Sequence, residues 1–149
     1  MSGREFVDTN VLVYADDARD IAKQARAREM IRNLLLERRG VLSLQVLQEF
    51  FAATTRKLGM DAATARDRLL LYGRFELVRL TFDDLLTAID LHRLHGLSFW
   101  DALVVRAAIT GGCTVLNTED MQAGRMIDSL TIVNPFDGSR PRATRSARQ

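Results

Sequence analysis

Four stretches of this chain place a carboxylate where an apolar run or a helical pattern begins or ends. In EFVDTNVLVYA, residues 5–15, Asp8 follows Phe6 and Val7 and precedes Thr9 and Asn10. Glu49 lies early in the helical pattern after Val41-Leu42-Ser43-Leu44. Asp101 comes three residues after Ser98, and Glu119 and Asp120 come just after Cys113–Asn117. Taken singly, most of these acids have an ordinary structural role. Ser98-Phe99-Trp100-Asp101 has the spacing of a capping box, as does Thr81-Phe82-Asp83-Asp84. Glu49 lies about 60° to one side of the Val46–Phe50 stripe, where a boundary residue belongs. Asp120 can cap a turn. Asp8 is the odd one, because aspartate is depleted in strands and here it ends one. Drawn to one place, such carboxylates would repel one another and resist ionisation unless a cation sat among them. An all-oxygen set favours Mg²⁺ or Mn²⁺ over zinc.

The elements that must position these acids follow from the pattern. Arg4–Asp8 reads as a strand, followed by a helix or turn. Ile21–Arg39 reads as a helix, with Gly40 as its C′ residue. Val41–Leu44 is a second strand and Gln45–Leu58 a second helix, with Val46, Leu47, Phe50, Phe51, Thr54 and Leu58 on one face. Asp61 caps a helix to about Tyr72, and Phe75–Leu80 is a third strand. Thr81–Leu94 and Ser98–Thr110 are helices stopped by Gly96 and Gly111-Gly112. Cys113–Asn117 and Leu130–Val133 are the fourth and fifth strands. Strands alternating with helices indicate parallel β-α units in an α/β fold. In such folds ligands bind outside the carboxyl ends of the strands, where these acids lie.

Bulk properties narrow the field. The 149 residues suit one compact domain with its own core. A single cysteine excludes an internal disulfide and a thiolate zinc cluster, and fits a reducing cytoplasm. The start, MSGREFVD, has no secretory pattern, and no apolar run is long enough to span a membrane. The formal charge is +2, yet the last twelve residues hold Arg140, Arg142, Arg145 and Arg148 and no acid. Without them, 17 basic and 19 acidic residues remain. The expected division is therefore a domain over 1–137 and an Arg-rich disordered tail over 138–149.

The motifs together resemble those of PIN-domain ribonucleases. FVDTNVLVY resembles the opening motif, a strand ending in Asp followed by Thr or Ser and then Asn. Leu47-Gln48-Glu49-Phe50 resembles the second acidic motif, and Ser98-Phe99-Trp100-Asp101-Ala102-Leu103 the third. Leu116-Asn117-Thr118-Glu119-Asp120-Met121-Gln122-Ala123-Gly124 resembles the fourth. The likeness spans about residues 4–136, and a lone domain of this length is similar to the VapC-type toxins of bacterial toxin–antitoxin pairs. The resemblance implies a three-layer α/β/α sandwich with a central parallel sheet in strand order 3-2-1-4-5. It implies that Asp8, Glu49, Asp101 and Asp120 gather one or two Mg²⁺ or Mn²⁺ ions and hydrolyse RNA phosphodiester bonds. Asp8 and Asp101 would be direct ligands, with Glu49 and Asp120 acting through water or a second ion. Thr9, Asn10 and Thr118 would support them, and Glu119 remains an alternative to Asp120. A cognate antitoxin and a homodimer are also implied.

Two other readings of the same residues stay open. One is a non-catalytic PIN-like RNA-binding module. The other is an aspartyl-phosphate phosphatase, which wants a second Asp where this chain has Asn10 and a Lys later than Lys57. His92 and His95 read as helix C-terminal residues rather than ligands. Cys113, Trp100, Phe99, Phe50 and Phe51 read as core.

Overall fold

A computed structural model describes residues 3–137; the Arg-rich tail lies outside the described residues. The elements run β1 (Arg4–Val7), α1 (Thr9–Tyr14), α2 (Ile21–Glu37), β2 (Gly40–Ser43), α3 (Leu44–Lys57), α4 (Ala62–Tyr72) and β3 (Glu76–Val78). They continue α5 (Phe82–His95), α6 (Phe99–Thr110), β4 (Cys113–Asn117), β5 (Met126–Ile127) and β6 (Leu130–Val133). One sheet holds all six strands in the order β3-β2-β1-β4-β6-β5. Every pairing is parallel except the β5–β6 hairpin.

The expected order 3-2-1-4-5 holds for the five anticipated strands, and the structure adds β5 at one edge. Only two residues long, β5 is too short to leave a periodic signal. It pairs through Met126 with Thr131 and Ile127 with Leu130, across a turn in which Asp128 takes φ 55°. Aspartate tolerates that left-handed backbone better than most residues do.

The topology separates the helices into layers. Connections from β1 to β2 and on to β3 run one way across the sheet, and the return from β3 to β4 runs the other. Right-handed crossovers put the two sets on opposite faces. Accordingly α1, α2, α3 and α4 form one packed group, while α5 pairs with α6, which lies on β2 and β4. The core sits at the sheet's centre: Phe6 pairs with Val41 and Leu116, Leu116 pairs with Ile132, and all four are essentially fully buried. Each such side chain contributes about 1.5–3 kcal/mol of burial.

Two expectations are corrected here. Gly40 is not the residue that ends α2. Arg38 takes the left-handed position, φ 56°, and its N–H returns to Leu34 and Leu35 carbonyls. Gly40 instead begins β2, where an added Cβ would lie 2.2 Å from the Phe75 ring. It is glycine for close approach, not for φ. Trp100 is not core: it is 62% exposed, and Phe51 is also exposed, whereas Phe50 is fully buried and Phe99 half-buried. The inward side of α6 is taken by Ala102, Leu103, Val104, Val105, Ala107 and Ala108, which turns Trp100 outward. Cys113 is buried as expected, and burial pushes its thiol up to about 12.

Candidate active site

The site grows out of the β1–β4 ladder. Val7 pairs with Asn117, and the ladder continues one step as Asp8 N–H donates to the Asn117 carbonyl at 3.0 Å. Asp8 and Thr118 therefore leave their strands side by side, at the carboxyl edge where the strand order reverses. Asn117 is buried and locks this junction, its amide donating to Glu5 Oε1 and the Phe6 carbonyl.

Asp8 is the N-cap of α1, and its Oδ1 accepts from Thr9 N–H at 2.8 Å. Its Oδ2 accepts from the Thr118 hydroxyl at 2.9 Å. The carboxyl is only 6% exposed. Burial pushes its pKa up to about 6 against the pull of those two hydrogen bonds, and the charges of Glu49 and Asp120 push the same way.

Neighbouring side chains fix the other acids. The Thr9 hydroxyl donates to Glu49 Oε1 at 2.8 Å, and Gln45, one turn earlier on α3, donates to Oε2 at 3.1 Å. The Asn10 amide donates to Asp120 Oδ2 at 2.9 Å and to the Thr118 hydroxyl at 3.2 Å, while its oxygen accepts from Glu119 N–H. Asp101 sits in the first turn of α6, where its N–H donates to the Ser98 hydroxyl at 3.1 Å. Its pKa is raised by burial, which the Ser98 hydroxyl partly offsets, and by the charges of Asp120 and Glu49. Asp8, Glu49, Asp101 and Asp120 thus line one open cleft of about 550 Å³.

The adjacent acids of the fourth motif have separate surroundings. Glu119 is held by the Tyr14 hydroxyl, at 2.8 Å, and by an ion pair with Lys23. The Lys23 ammonium also lies over the Tyr14 ring, 4.7 Å from its centre, and Phe136 packs edge-on against Tyr14. Among the described residues no cation pairs with Asp120, and its charge acts on Asp8 and Asp101. Tyr14, Lys23 and Gln45 carry no motif signal, although Gln45 could be found as the helical neighbour of Glu49 at i−4. Arg56, Lys57 and Trp100 also line the cleft. His92 and His95 do not line it.

The donor set fits a hard divalent cation. All four acids offer oxygen only, and the raised carboxyl of Asp8 is what a neighbouring dication would reverse. Among the described residues no three such groups already converge tightly enough to ligate one ion together. Mg²⁺ commonly takes one or two carboxylates, with waters and substrate phosphate completing its shell.

A second hollow, of about 490 Å³, lies between α2 and α4. Its floor includes Ile31, Leu35 and Tyr72, and Arg28, Arg32, Arg68 and Arg74 surround it. Asp16 also lines it, one oxygen paired with Arg68 at 2.8 Å and the other buried without a hydrogen-bond partner among the described residues. No described helix is long and apolar enough to cross a membrane.

Several solved structures share this fold. A toxin–antitoxin complex from Klebsiella pneumoniae contains a chain 17% identical, with a TM-score of 0.64, covering 89% of this chain and 98% of that one. VapC20 of Mycobacterium tuberculosis, a Sarcin-Ricin loop cleaving toxin, is 24% identical, with a TM-score of 0.60 over 75% of this chain and 86% of that one. VapBC2 from Rickettsia felis, bound to a DNA fragment from its promoter, contributes a chain 17% identical, with a TM-score of 0.58 over 86% and 96%. A search of curated protein sequences finds no significant match. The PIN-domain sequence profile matches residues 6–127, which takes in all four acidic motifs, and the chain belongs to the PIN-domain family.

Proposed function

We propose that this chain is a divalent-metal-dependent endoribonuclease, the toxin of a toxin–antitoxin pair. The observation that carries the reading is the convergence of Asp8, Glu49, Asp101 and Asp120 on one cleft at the β1–β4 edge, with no cation paired to any of their carboxylates among the described residues. PIN-family membership supports it, as do similar structures that include a Sarcin-Ricin loop cleaving toxin and toxin–antitoxin complexes.

Asp8 and Asp101 would hold a Mg²⁺ or Mn²⁺ ion directly, with Glu49 and Asp120 reaching it through water or a second ion. When bound, such an ion supplies Lewis acidity to the phosphodiester and acidity to an attacking water. The chain's own residues keep the acids aimed. Thr118 and the Thr9 N–H each hold one oxygen of Asp8. The Thr9 hydroxyl and Gln45 hold the two oxygens of Glu49. Asn10 ties Asp120 to Thr118, and Lys23 with Tyr14 occupies Glu119, leaving Asp120 as the fourth acid.

An antitoxin would find an apolar floor and an arginine rim in the α2–α4 hollow. A homodimer would find Phe82, Leu86 and Ile89 exposed along one side of α5, at helical spacing. Light scattering tests the dimer. Co-expression with the product of a short neighbouring reading frame tests the antitoxin, since relief of growth inhibition is the expected result.

The central test is incubation of the pure protein with structured RNA in Mg²⁺ and in EDTA. Cleavage is expected in Mg²⁺ only, and Asp8→Asn is expected to abolish it. Cleavage that persists in EDTA sinks the metal-dependent reading. RNA binding without turnover favours the non-catalytic module.

A further inference from the structure

An exposed indole shares the cleft with the four acids. Trp100 is the chain's single tryptophan and is 62% exposed, although tryptophan is highly buried on average. It lies in the first turn of α6, next to Asp101, and lines the cleft. Phe99 braces it edge-on, with ring centres 5.1 Å apart at 68°. That contact limits the indole's freedom without burying it.

Three cationic side chains line the same cleft, Arg19, Arg56 and Lys57. Arg56 and Lys57 end α3 and are exposed, and neither side chain makes an ion pair or hydrogen bond among the described residues. This separates them from Arg19, which is tied to Asp17 by two guanidinium–carboxylate hydrogen bonds. Arg56 is seven residues beyond Glu49, so both lie on nearly the same side of α3, about 10 Å apart along its axis. The intervening lining is small, Ala52 and Ala53. The cleft therefore passes from acids suited to a cation toward bases suited to a phosphate. That order is hard to reconcile with a fully apolar ligand, and it follows the alternation of charge and ring in a nucleic acid strand.

We propose that Trp100, Arg56 and Lys57 form a subsite for an unpaired nucleotide beside the bond that is cut, the indole stacking on its base and the two cations holding a flanking phosphate. This rests on the nuclease reading of the cleft and specifies its substrate as single-stranded or looped RNA. Base–aromatic stacking tolerates any base, so the subsite selects for an unpaired base rather than for sequence. Trp100 acts here as a positioning residue, since it offers no group to the reaction.

The lone indole reports on its own occupancy. The full chain in EDTA is titrated with short, labelled single-stranded oligoribonucleotides of mixed sequence, following label anisotropy and tryptophan emission together. Emission should be quenched in step with binding. Trp100→Ala should weaken binding roughly 10-fold, while Trp100→Phe, which keeps a stacking ring, should stay within about 3-fold. The double change Arg56→Gln and Lys57→Gln should weaken binding and flatten its log–log salt dependence by roughly one unit. Because Trp100 is exposed, its variants should keep the native circular dichroism spectrum and melting temperature.

Saturable binding with unchanged emission overturns the subsite. So does native affinity in Trp100→Ala, or equal quenching by a blunt duplex of the same sequence. Quenching by a protein partner alone, with none by RNA, also overturns it. A chain that is quenched by single-stranded RNA but cuts none in Mg²⁺ supports the subsite and removes only catalysis. Absence of all RNA binding overturns both.

Discussion

Two helices of this protein open on the same four-residue spacing and use it differently. At α5, Thr81 and Asp84 form a reciprocal capping box: the Thr81 hydroxyl accepts from Asp84 N–H, and Asp84 Oδ2 accepts from Thr81 N–H at 2.9 Å. The other Asp84 oxygen accepts from Arg106 at 2.9 Å and from the Thr110 hydroxyl. These bonds, the Thr81 N–H first, hold the Asp84 carboxyl below its usual range. At α6, Ser98 caps Asp101 N–H, but no return bond from Asp101 to the Ser98 N–H forms. Burial raises the Asp101 pKa, the Ser98 hydroxyl opposes it, and the charges of Asp120 and Glu49 add to the rise. The same local code thus yields a structural carboxylate in one place and a chemically available one in the other. The difference lies in the surroundings: the Thr81 N–H and Arg106 hold Asp84 charged, whereas burial, with Asp120 and Glu49 adding to it, resists the charge on Asp101.

The sharpest way to break this comparison is to neutralise both carboxylates. Asp101→Asn should lower RNA cleavage by roughly 10²-fold or more, with stability nearly unchanged. Asp84→Asn should leave the activity of the folded protein intact but cost about 2 kcal/mol, read as a melting temperature lower by roughly 4–8 °C. Equal effects of the two changes on cleavage would erase the distinction.

The two kinds of acid should also respond oppositely to pH. Asp8 has an ordinary pKa of 3.8 and a folded value of about 6, so in that window the folded state binds more protons than the unfolded one. Stability should therefore fall as pH rises from about 4 to about 6, by about 3 kcal/mol at most for this group. Asp8→Asn should remove that slope, which thermal melts in EDTA would show, and added Mg²⁺ should reduce it in the native chain. Asp84, held low, contributes stability above its unfolded pKa, and loses it as pH falls through its depressed value. A native melting curve with no Asp8-dependent slope would contradict the raised carboxyl.

The smallest expected effect tests what the two tetrads share. Thr81→Ala and Ser98→Ala each remove one cap hydroxyl, and each should cost about 1 kcal/mol by chemical denaturation. A much larger loss at Ser98 would mean that its hydroxyl does more than cap.

Much of this architecture was legible in the sequence because it rests on local signals. The Asp61 cap, the Gly96 stop and the spans of β4 and β6 agree with their expected positions. Asp8 stood out because strands disfavour aspartate, and its neighbours Thr9 and Asn10 donate hydrogen bonds to Glu49 and Asp120. What was not legible depends on long-range partners. Gly40 looked like a helix stop until the Phe75 ring was found against it. Trp100 looked like core, because an apolar helix does not announce which side the sheet will cover. Lys23 carried no motif, since its role lies in a residue 96 positions away.

By itself, then, the sequence determined the α/β alternation, the spans of β4 and β6 and a set of candidate acids at element junctions, all of which follow from periodicity, capping and turn chemistry within a few residues. Only the tertiary structure decided how those acids differ. Parallel pairing of β1 with β4 sets Asp8 beside Thr118, while Lys23 and Tyr14 hold the carboxylate of Glu119 and Asn10 that of Asp120. Arg106 satisfies Asp84, while among the described residues no comparable cation meets the carboxyls of Asp8 and Asp101. The physical reason is that a carboxylate's charge state depends on burial and on the charges around it, and both are properties of the packed chain.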